Sequence, residues 1–260
     1  MPNHVINKLT FTCGEERLRQ ILSEICYDQQ DGGDYYGPGT FDFNKIKPMP
    51  ESLNIECGTS TTEGIDLYLT AVNPSGADLG LKKLSEGEFR KLLEAYRGDS
   101  QYRRWNANLA PDEISRFTAH GRLPELLTLG EAAVNNQIQY GAATWYDWCW
   151  NENHWNTKWN SYDSEPYDGG DSITFQTAWS APHPVIQGLS EKYPEVSILH
   201  EWADEDIGRN CGWAEYEHGE EVQSCVFDGG PEAEQFAEDL WGWEPDEDFD
   251  MDPDEPDLSL

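Results

Sequence analysis

The sequence predicts an α+β fold in which helices cover one face of an antiparallel sheet. The chain has 260 residues, enough to bury a sizeable core, and 37% of them are hydrophobic. Short β-branched segments with alternating polarity recur along it, separated by segments that have apolar residues at helical spacing. Outside a long central block, the element order is strand, helix, strand and again strand, helix, strand, which is typical of this class.

The N-terminal segment, residues 1–50, predicts the first half of the sheet. Residues 4–12 alternate between β-branched and polar side chains and predict a strand. Thr12 and Glu15 have the spacing of a capping box that begins a helix. A second strand is predicted over 40–47, and the prolines after it end it because proline cannot donate a hydrogen bond to a sheet.

Residues 51–143 predict a helical, locally basic insertion between the two halves of the sheet. A strand is predicted over 65–72, where apolar residues alternate. Two helices follow, one beginning at the capping-box pair Ser85 and Glu88 and one beginning at Pro124. We expect this block to form a solvated side wall rather than a binding surface, because charged runs usually face water.

Residues 144–243 predict the second half of the sheet, extended by a hairpin and a helix. The predicted elements are a strand over 172–180, a helix after Pro182, a strand over 196–202, a hairpin over 212–227 and a helix over 231–241. Without the insertion, this order is the split βαβ, or ferredoxin-like, arrangement. The whole chain therefore predicts a ferredoxin-like antiparallel sheet with a helical insertion and an additional C-terminal hairpin and helix.

Negative charge is the main feature of the composition. The chain has 50 Asp and Glu against 17 Lys and Arg, a formal net charge of −33. Residues 210–260 hold eighteen of the acids and no Lys or Arg. The tail over 244–260 is nearly all Asp, Glu and Pro, which predicts a disordered acidic segment. Charge asymmetry of this kind indicates an interaction surface or the docking of the acidic tail on the basic insertion.

The cysteines and the hydropathy pattern favour a cytoplasmic protein. The six cysteines are scattered and form no CxxC motif, so reduced thiols are favoured over a disulfide framework. No apolar run approaches the roughly twenty residues of a membrane span, and the N-terminus lacks a signal-peptide pattern. We therefore expect no membrane partner.

Five segments carry a resemblance to a known family. They are MPNHVINKLTF at the N-terminus, FDFNKIKPMP at 41–50, HWNTKWNSYD at 154–163, TAWSAPHPVIQGLSEKYP at 177–194 and WADEDIGRNCGW at 202–213. Together they resemble the YubB-type ferredoxin-like domain family of plasmids and bacteriophages, which includes Api-like proteins. The resemblance implies a ferredoxin-like fold from a mobile genetic element that acts in a bacterial cytoplasm. It implies little about activity, because that family is largely uncharacterised and a fold does not dictate function.

The sequence departs from the family pattern at one position of these segments. The family is expected to have glycine before Thr157, where this chain has Asn156. A side chain at that position is expected to alter a tight turn.

The densest aromatic segment, residues 144–162, holds five of the eleven tryptophans. Its rings can fill the core, stack on a base or nucleotide, or anchor a protein partner. A ligand cleft between sheet and insertion would use Arg103, Arg104, Trp105, Trp145, His154, Trp155 and Trp159. Direct nucleic-acid binding is not expected, because counterion release rewards cations, which this chain largely lacks outside the insertion.

Two acidic segments are the candidate partner-binding sites. They are Asp204, Glu205 and Asp206 at a strand end, and Asp246, Glu247, Asp248 and Asp250 in the tail. Successive strand residues point to opposite faces, so only Asp204 and Asp206 could share a Mg²⁺ ion or an acid–base role. A solvated strand end is favoured over either role.

The sequence predicts a non-enzymatic interaction protein. No GxSxG, HExxH, P-loop or GxGxxG motif is present, so we expect no catalytic residues, metal or cofactor. The expected partner is a basic host protein, a nucleic-acid-handling or defence factor, which this protein binds and inhibits. Imitation of DNA charge is one form of such binding, although much of the charge lies in the tail. The alternative is a small-ligand or nucleotide-binding protein, or an enzyme, with the cleft described above.

Overall fold

The fold is built on a five-stranded antiparallel sheet, seen in a computed structural model that describes residues 3–27, 39–96, 106–164 and 169–242. The strands are β1 (His4–Phe11), β2 (Ser172–Ala178), β3 (Ile198–Asp204), β4 (Gly212–Glu217) and β5 (Glu220–Val226). The helices are α1 (Glu15–Ile25), α2 (Thr59–Val72), α3 (Glu86–Tyr96), α4 (Pro111–Ala119), α5 (Leu123–Tyr140), α6 (Trp145–Trp150), α7 (His183–Lys192) and α8 (Pro231–Trp241). The predicted α+β class is confirmed.

The strand order is β2-β1-β3-β4-β5. β1 lies between β2 and β3 and pairs antiparallel with both, so β2 and β3 run parallel to each other. The helix α7 connects these two strands, and the unit is the split βαβ that the element order predicts. The hairpin of β4 and β5 extends the sheet on the β3 side, as predicted, and α8 follows it.

Helices cover both faces of the sheet, so the prediction that they cover one face is wrong. The larger core lies between the sheet and the pair α1 and α7, and its inward side chains include Val5, Leu9, Leu18, Ile21, Phe175, Val185, Leu189 and Trp202. Their spacing follows the two-residue period of the strands and the helical period of α1 and α7. On the opposite face, Ala203 and Ile6 pack against Ala233 and Ala237 of α8.

Residues 40–47 do not form the predicted strand. Phe41 makes a single bridge to Cys26, and residues 43–45 form a 3₁₀ turn whose first free N–H is capped by the Asp42 carboxylate. Both phenylalanines of this segment are buried in the main core. Phe41 and Phe43 lie two positions apart, as on a strand, but the segment that holds both rings in the core is a turn.

Residues 65–72 belong to α2, so the strand predicted there is also wrong. Ile65 and Leu69 pack in one buried cluster, while Leu67 and Ala71 pack in another. Each pair is four residues apart and lies on one side of the helix. Because α2 is buried on two sides, the two pairs interleave in the sequence and imitate the alternation of a strand.

One of the two predicted capping boxes is confirmed. At the start of α3, the Glu88 carboxylate accepts a hydrogen bond from the Ser85 N–H at 2.8 Å, and the Glu88 N–H donates to Ser85 Oγ at 3.3 Å. At α1 the N-cap is Gly14, and Thr12 Oγ1 instead accepts from the Ser197 N–H at 2.9 Å. That bond joins the end of β1 to the start of β3.

The insertion predicted over 51–143 is helical and contains α2 to α5, although its boundaries stay a prediction. α2 and α5 cross most closely at Gly64 and Gly130, where a Cβ on Gly130 would lie 1.9 Å from the Gly64 carbonyl oxygen. No helix within the described residues is long and apolar enough to cross a membrane. The tail predicted over 244–260 lies outside the described residues.

Candidate functional site

The Trp-rich segment contributes to the core of the protein. Trp155 is 4% exposed, its Nε1 donates to the Lys47 carbonyl oxygen at 2.9 Å, and its ring meets Phe43 edge-on at 5.8 Å. Trp145 and Trp148 are half-buried and pack against the same core. Trp155 is therefore held on every side by the fold, and Trp145 exposes part of its ring.

His154 and Trp159 lie at the margin of this core. The His154 ring stacks on Trp148 with 3.5 Å between ring centres, and burial lowers the pKa of His154. Trp159 is half-buried, with Lys158 Nζ 4.7 Å from its ring centre. Residues 103–105, the basic wall of the predicted cleft, lie outside the described residues, so the cleft stays a prediction.

The turn at Asn156 takes a left-handed backbone conformation. Its φ of 57° is one that glycine adopts freely and that asparagine tolerates better than most side chains. Asn156 Nδ2 donates to the Ala181 carbonyl oxygen at 3.1 Å, and Thr157 Oγ1 donates to the Ala178 carbonyl oxygen at 2.7 Å. The side chain thus helps to fasten this turn to the end of β2.

Trp179, just after β2, is exposed and has a strained backbone. It is 43% exposed with a φ of 73°, which is costly for a bulky residue. Its N–H donates to the Asn3 carbonyl oxygen at 3.0 Å, and its carbonyl oxygen accepts from Asn210 Nδ2 at 3.2 Å. Four of the five segments that carry the family resemblance therefore meet at this end of the sheet.

The Asp204 carboxylate is enclosed in that junction. It is 5% exposed and accepts hydrogen bonds from Asn3 Nδ2 at 3.0 Å, the Asp206 N–H at 2.9 Å and Asn210 Nδ2 at 3.3 Å. These bonds fix the turn after β3. Asp204 therefore positions the turn, and a partner cannot reach its carboxylate without opening the junction.

Glu205 and Asp206 are the exposed acids of the same turn. Glu205 accepts a hydrogen bond from the His4 N–H at 3.1 Å, and Asp206 lies 3.5 Å from Arg209 Nε. Among the described residues, no group of His, Cys, Asp and Glu could hold a metal ion. The four predicted tail acids lie outside the described residues.

A larger set of carboxylates lies beyond this turn. We call it the acidic surface, and it consists of the exposed acids on β4, β5, α8 and the turn before α8: Glu215, Glu217, Glu220, Glu221, Asp228, Glu232, Glu234 and Asp239. Within the described parts of the chain, no ion pair neutralises any of them. No Lys or Arg follows Arg209 in the sequence. This charge is therefore fixed on regular elements.

Two histidines lie between the sheet and α7. His200 is fully buried, and its Nε2 donates to Asn7 Oδ1 at 2.9 Å, because both Asn7 amide hydrogens already bond Val5 and Thr177. His183 lies 5.4 Å from His200, measured between ring centres. Burial lowers the pKa of both imidazoles. The pair is neutral near pH 7, and His200 is enclosed while His183 is partly exposed.

A separate cavity of about 200 Å³ lies between α2 and α4, lined by Glu63, Asp66, Leu109, Glu113, Arg116 and Phe117. Burial, with a smaller contribution from nearby Glu113, raises the pKa of Asp66 to about 6. The Asn106 N–H donates to Asp66 Oδ1 at 2.5 Å and opposes this rise. The charged form of Asp66 is therefore less favourable in the folded protein than in the unfolded chain.

Replacing Asp66 with asparagine is expected to stabilise the protein at pH 7 by about 1 kcal/mol, after allowance for solvent screening. The folded pKa lies above the ordinary value of 3.8, so the cost of the charge is absent at low pH and grows as the pH rises through 6. Asparagine keeps the acceptor for Asn106 and carries no charge. Urea denaturation at pH 7 and pH 4 measures the difference, and a gain of equal size at both pH values would contradict this explanation.

Comparison with known proteins finds a similarity to a family in the C-terminal part of the chain. Residues 154–244 match the family model of the ferredoxin-like domain in Api92-like protein. This match confirms the Api-like, ferredoxin-like resemblance. A crystal structure of the protein api92 from Yersinia pseudotuberculosis is similar over 89% of this chain and 100% of that one, with 12% identity and a TM-score of 0.37. No curated protein matches the chain.

The Api92-like segment supplies β2 to β5 together with α7 and α8. The strand that joins β2 to β3 is β1, which comes from the other end of the chain. Without β1, the backbone groups along one edge of β2 and one edge of β3 would lack partners. The sheet of the Api92-like segment is therefore completed by residues 4–11.

Sequence reasoning missed the enclosed polar groups of this Api92-like sheet. Asn7 and His200 each occupy an inward position of an alternating strand, between the apolar neighbours of β1 and of β3. A polar side chain at such a position needs a buried partner, and that requirement was the available signal. The acidic surface was visible only as composition, because the sequence does not show which acids lie on ordered elements.

Proposed function

We propose that this chain is a non-enzymatic interaction protein that binds a basic host protein through its acidic surface. The observation that carries the proposal is the set of exposed carboxylates on β4, β5 and α8, which form no ion pair with any described residue. Charges of one sign on one part of a surface steer an oppositely charged partner and raise its association rate. Rigid elements hold these charges in place, so little ordering is needed when the partner binds.

The arrangement of the charges supports a surface-directed partner rather than a ligand pocket. On β4, Ala214 and Tyr216 face the main core, so Glu215 and Glu217 face the opposite side, the same side as α8. Alternate strand residues are about 6.7 Å apart, so these two carboxylates lie side by side on one face. Negative charges held at a fixed spacing are also what a DNA-imitating surface requires.

The resemblance to plasmid and bacteriophage proteins indicates the class of partner. A basic host protein that handles nucleic acid, or a defence factor, has the surface that these carboxylates fit. Binding would block its nucleic-acid site and inhibit it in the bacterial cytoplasm. In this proposal Glu205, Asp206 and the tail acids add to the negative charge of the acidic surface. Asp204 holds in place the turn that carries Glu205 and Asp206.

The test is capture of a partner from a bacterial lysate with two charge-matched variants of the full chain. One variant removes four acids of the acidic surface: Glu215→Gln, Glu217→Gln, Glu220→Gln and Glu221→Gln. The control removes four exposed acids of the insertion: Glu86→Gln, Glu94→Gln, Glu125→Gln and Glu131→Gln. At about 0.4 kcal/mol for each exposed charge, the first variant is expected to bind at least about tenfold more weakly, and the control unchanged.

Three further measurements sharpen the outcome. Affinity for the captured partner is expected to fall steeply as salt increases, and an affinity that does not depend on salt would overturn the proposal. Competition by duplex DNA supports DNA imitation, whereas simultaneous binding of DNA excludes it. A thermal shift with a nucleotide or a divalent ion, with no captured protein, would favour the alternative ligand-binding function.

A further inference from the structure

The outer edge of β5 is open in the part of the chain that the structure describes. β5 is the last strand of the sheet and pairs with β4 alone. Six of its seven residues are exposed, and Val222 and Val226 are 52% and 68% exposed. In an antiparallel pair, alternate residues bond to the neighbour, so the other backbone N–H and C=O groups of β5 face outward. They form a ready template for another strand.

The edge of β5 has only some of the features that protect an edge strand. Such strands are usually very short, carry charged side chains or Pro, contain a β-bulge, or are covered by another element. β5 has seven residues, contains neither Lys nor Pro, and has one irregularity in its pairing, opposite Glu215 and Tyr216. Val222 and Val226 are both exposed on this strand, so both are accessible to side chains of an added strand.

The charge along this edge selects the occupant. Glu220 and Glu221 begin β5, and Glu217 ends the neighbouring strand, all three exposed and without an ion pair among the described residues. A second copy of the chain would place these acids beside the same acids. The chain's own residues 244–260 contain no Lys or Arg either. Both occupants would be repelled, whereas a basic segment would be attracted.

We propose that β5 binds an extended basic segment of a partner protein as a sixth strand of the sheet. Main-chain hydrogen bonds to the outer edge supply affinity, while Val222 and Val226 favour apolar side chains, and Glu217 and Glu220, which share one face of the sheet, favour basic ones. The inference rests on the proposed function, since it names the way in which the acidic surface recognises a basic partner. Strand addition requires the backbone of the partner segment to be extended and to pair with β5, which charge attraction alone does not require.

The test uses a peptide of about nine residues in which Lys and Val alternate, long enough to span β5. Two further peptides of the same sequence carry backbone N-methyl groups, one on the Lys residues and the other on the Val residues. An added strand directs alternate N–H groups toward β5, so one methylated peptide is expected to bind at least about tenfold more weakly, while the other retains binding. Affinities are measured by calorimetry with the full chain.

Amide hydrogen exchange, followed residue by residue by NMR, locates the binding site. With the unmethylated peptide at saturation, alternate amides of Glu220–Val226 are expected to exchange at least about tenfold more slowly. The outward-facing amides of β2, whose edge is partly covered by a bridge between Tyr162 and Gln176, are the internal control and are expected to be unchanged.

The outcomes separate this inference from the proposed function. If both methylated peptides bind equally, or if β5 amides gain no protection, strand addition is overturned while charge-directed binding stands. If the Lys–Val peptide does not bind at millimolar concentration, strand addition is also overturned, and the capture experiment with the charge variants decides the proposed function separately. Peptide-free dimers in light scattering, abolished by Val226→Lys, would assign the edge to a second copy and overturn the inference.

Discussion

Replacing Gly130 with alanine is expected to lower the free energy of unfolding by about 3 kcal/mol or more. The added Cβ would lie 1.9 Å from the Gly64 carbonyl oxygen and 2.8 Å from the Ile65 nitrogen. Both are backbone atoms, so no side-chain rotation can relieve the contact. α2 and α5 would have to move apart, and the cluster that contains Ile65, Ala133 and Val134 would lose its close packing.

The matched control for this change is Gly87→Ala in α3. No atom lies within 4 Å of a Cβ at Gly87, so alanine there removes only the conformational freedom of glycine. It is expected to leave the protein unchanged or to stabilise it by up to about 1 kcal/mol. Urea denaturation followed by circular dichroism compares the two variants. If Gly130→Ala unfolds at the same urea concentration as Gly87→Ala, the close crossing of α2 and α5 is wrong.

The elements that the sequence predicted correctly are those whose signals are local. β1 alternates over its whole length and β3 over its first five residues, because one face lies against the main core. Proline or glycine marks the starts of α7 and α8 and the hairpin turn. The wrong strand predictions at 40–47 and 65–72 are explained by packing in the tertiary structure. Two buried rings on a turn, and a helix buried on two sides, each produce alternation without a strand.

The site was less predictable, because it depends on which residues face one another. Local polarity points the wrong way for two tryptophans: Trp155 lies among polar residues and is buried, whereas Trp179 lies between Ala178 and Ser180 and is exposed. The enclosure of Asp204 depends on Asn3, which is 201 positions away, and on Asn210. The open edge at β5 follows from strand order, and the order of strands in a sheet is set by long-range pairing.

Lowering the pH from 7 to 5 is expected to destabilise the protein, with His200 responsible for about 2 kcal/mol. His200 Nε2 donates to Asn7, which leaves Nδ1 as a buried, unprotonated nitrogen with no hydrogen-bond partner among the described residues. A proton on Nδ1 would place a charged donor in the core beside His183, Trp202 and Tyr216. Burial and the neighbouring His183 therefore hold the pKa of His200 well below its ordinary value.

The direction of the effect follows from proton binding. Below about pH 6.5 the unfolded chain takes up a proton at His200 that the folded chain does not, so stability present above that pH is lost as the pH falls. Two other groups, His183 and Asp66, affect the pH dependence of stability in the same range. Glu221 opposes the lowering of the pKa of His183, and the raised pKa of Asp66 stabilises the fold as the pH decreases. The net slope of the wild-type protein is therefore smaller than the His200 contribution alone.

The variant His200→Gln isolates that contribution, because glutamine can donate to Asn7 but does not titrate. It is expected to be less stable than the wild type at pH 7 and to lose about 2 kcal/mol less between pH 7 and pH 5. His120→Gln is the control for the loss of an imidazole, because His120 is exposed and lies outside the main core. Urea denaturation at several pH values provides the slopes. Equal slopes for the wild type and His200→Gln would show that His200 is not the buried neutral group on which this prediction rests.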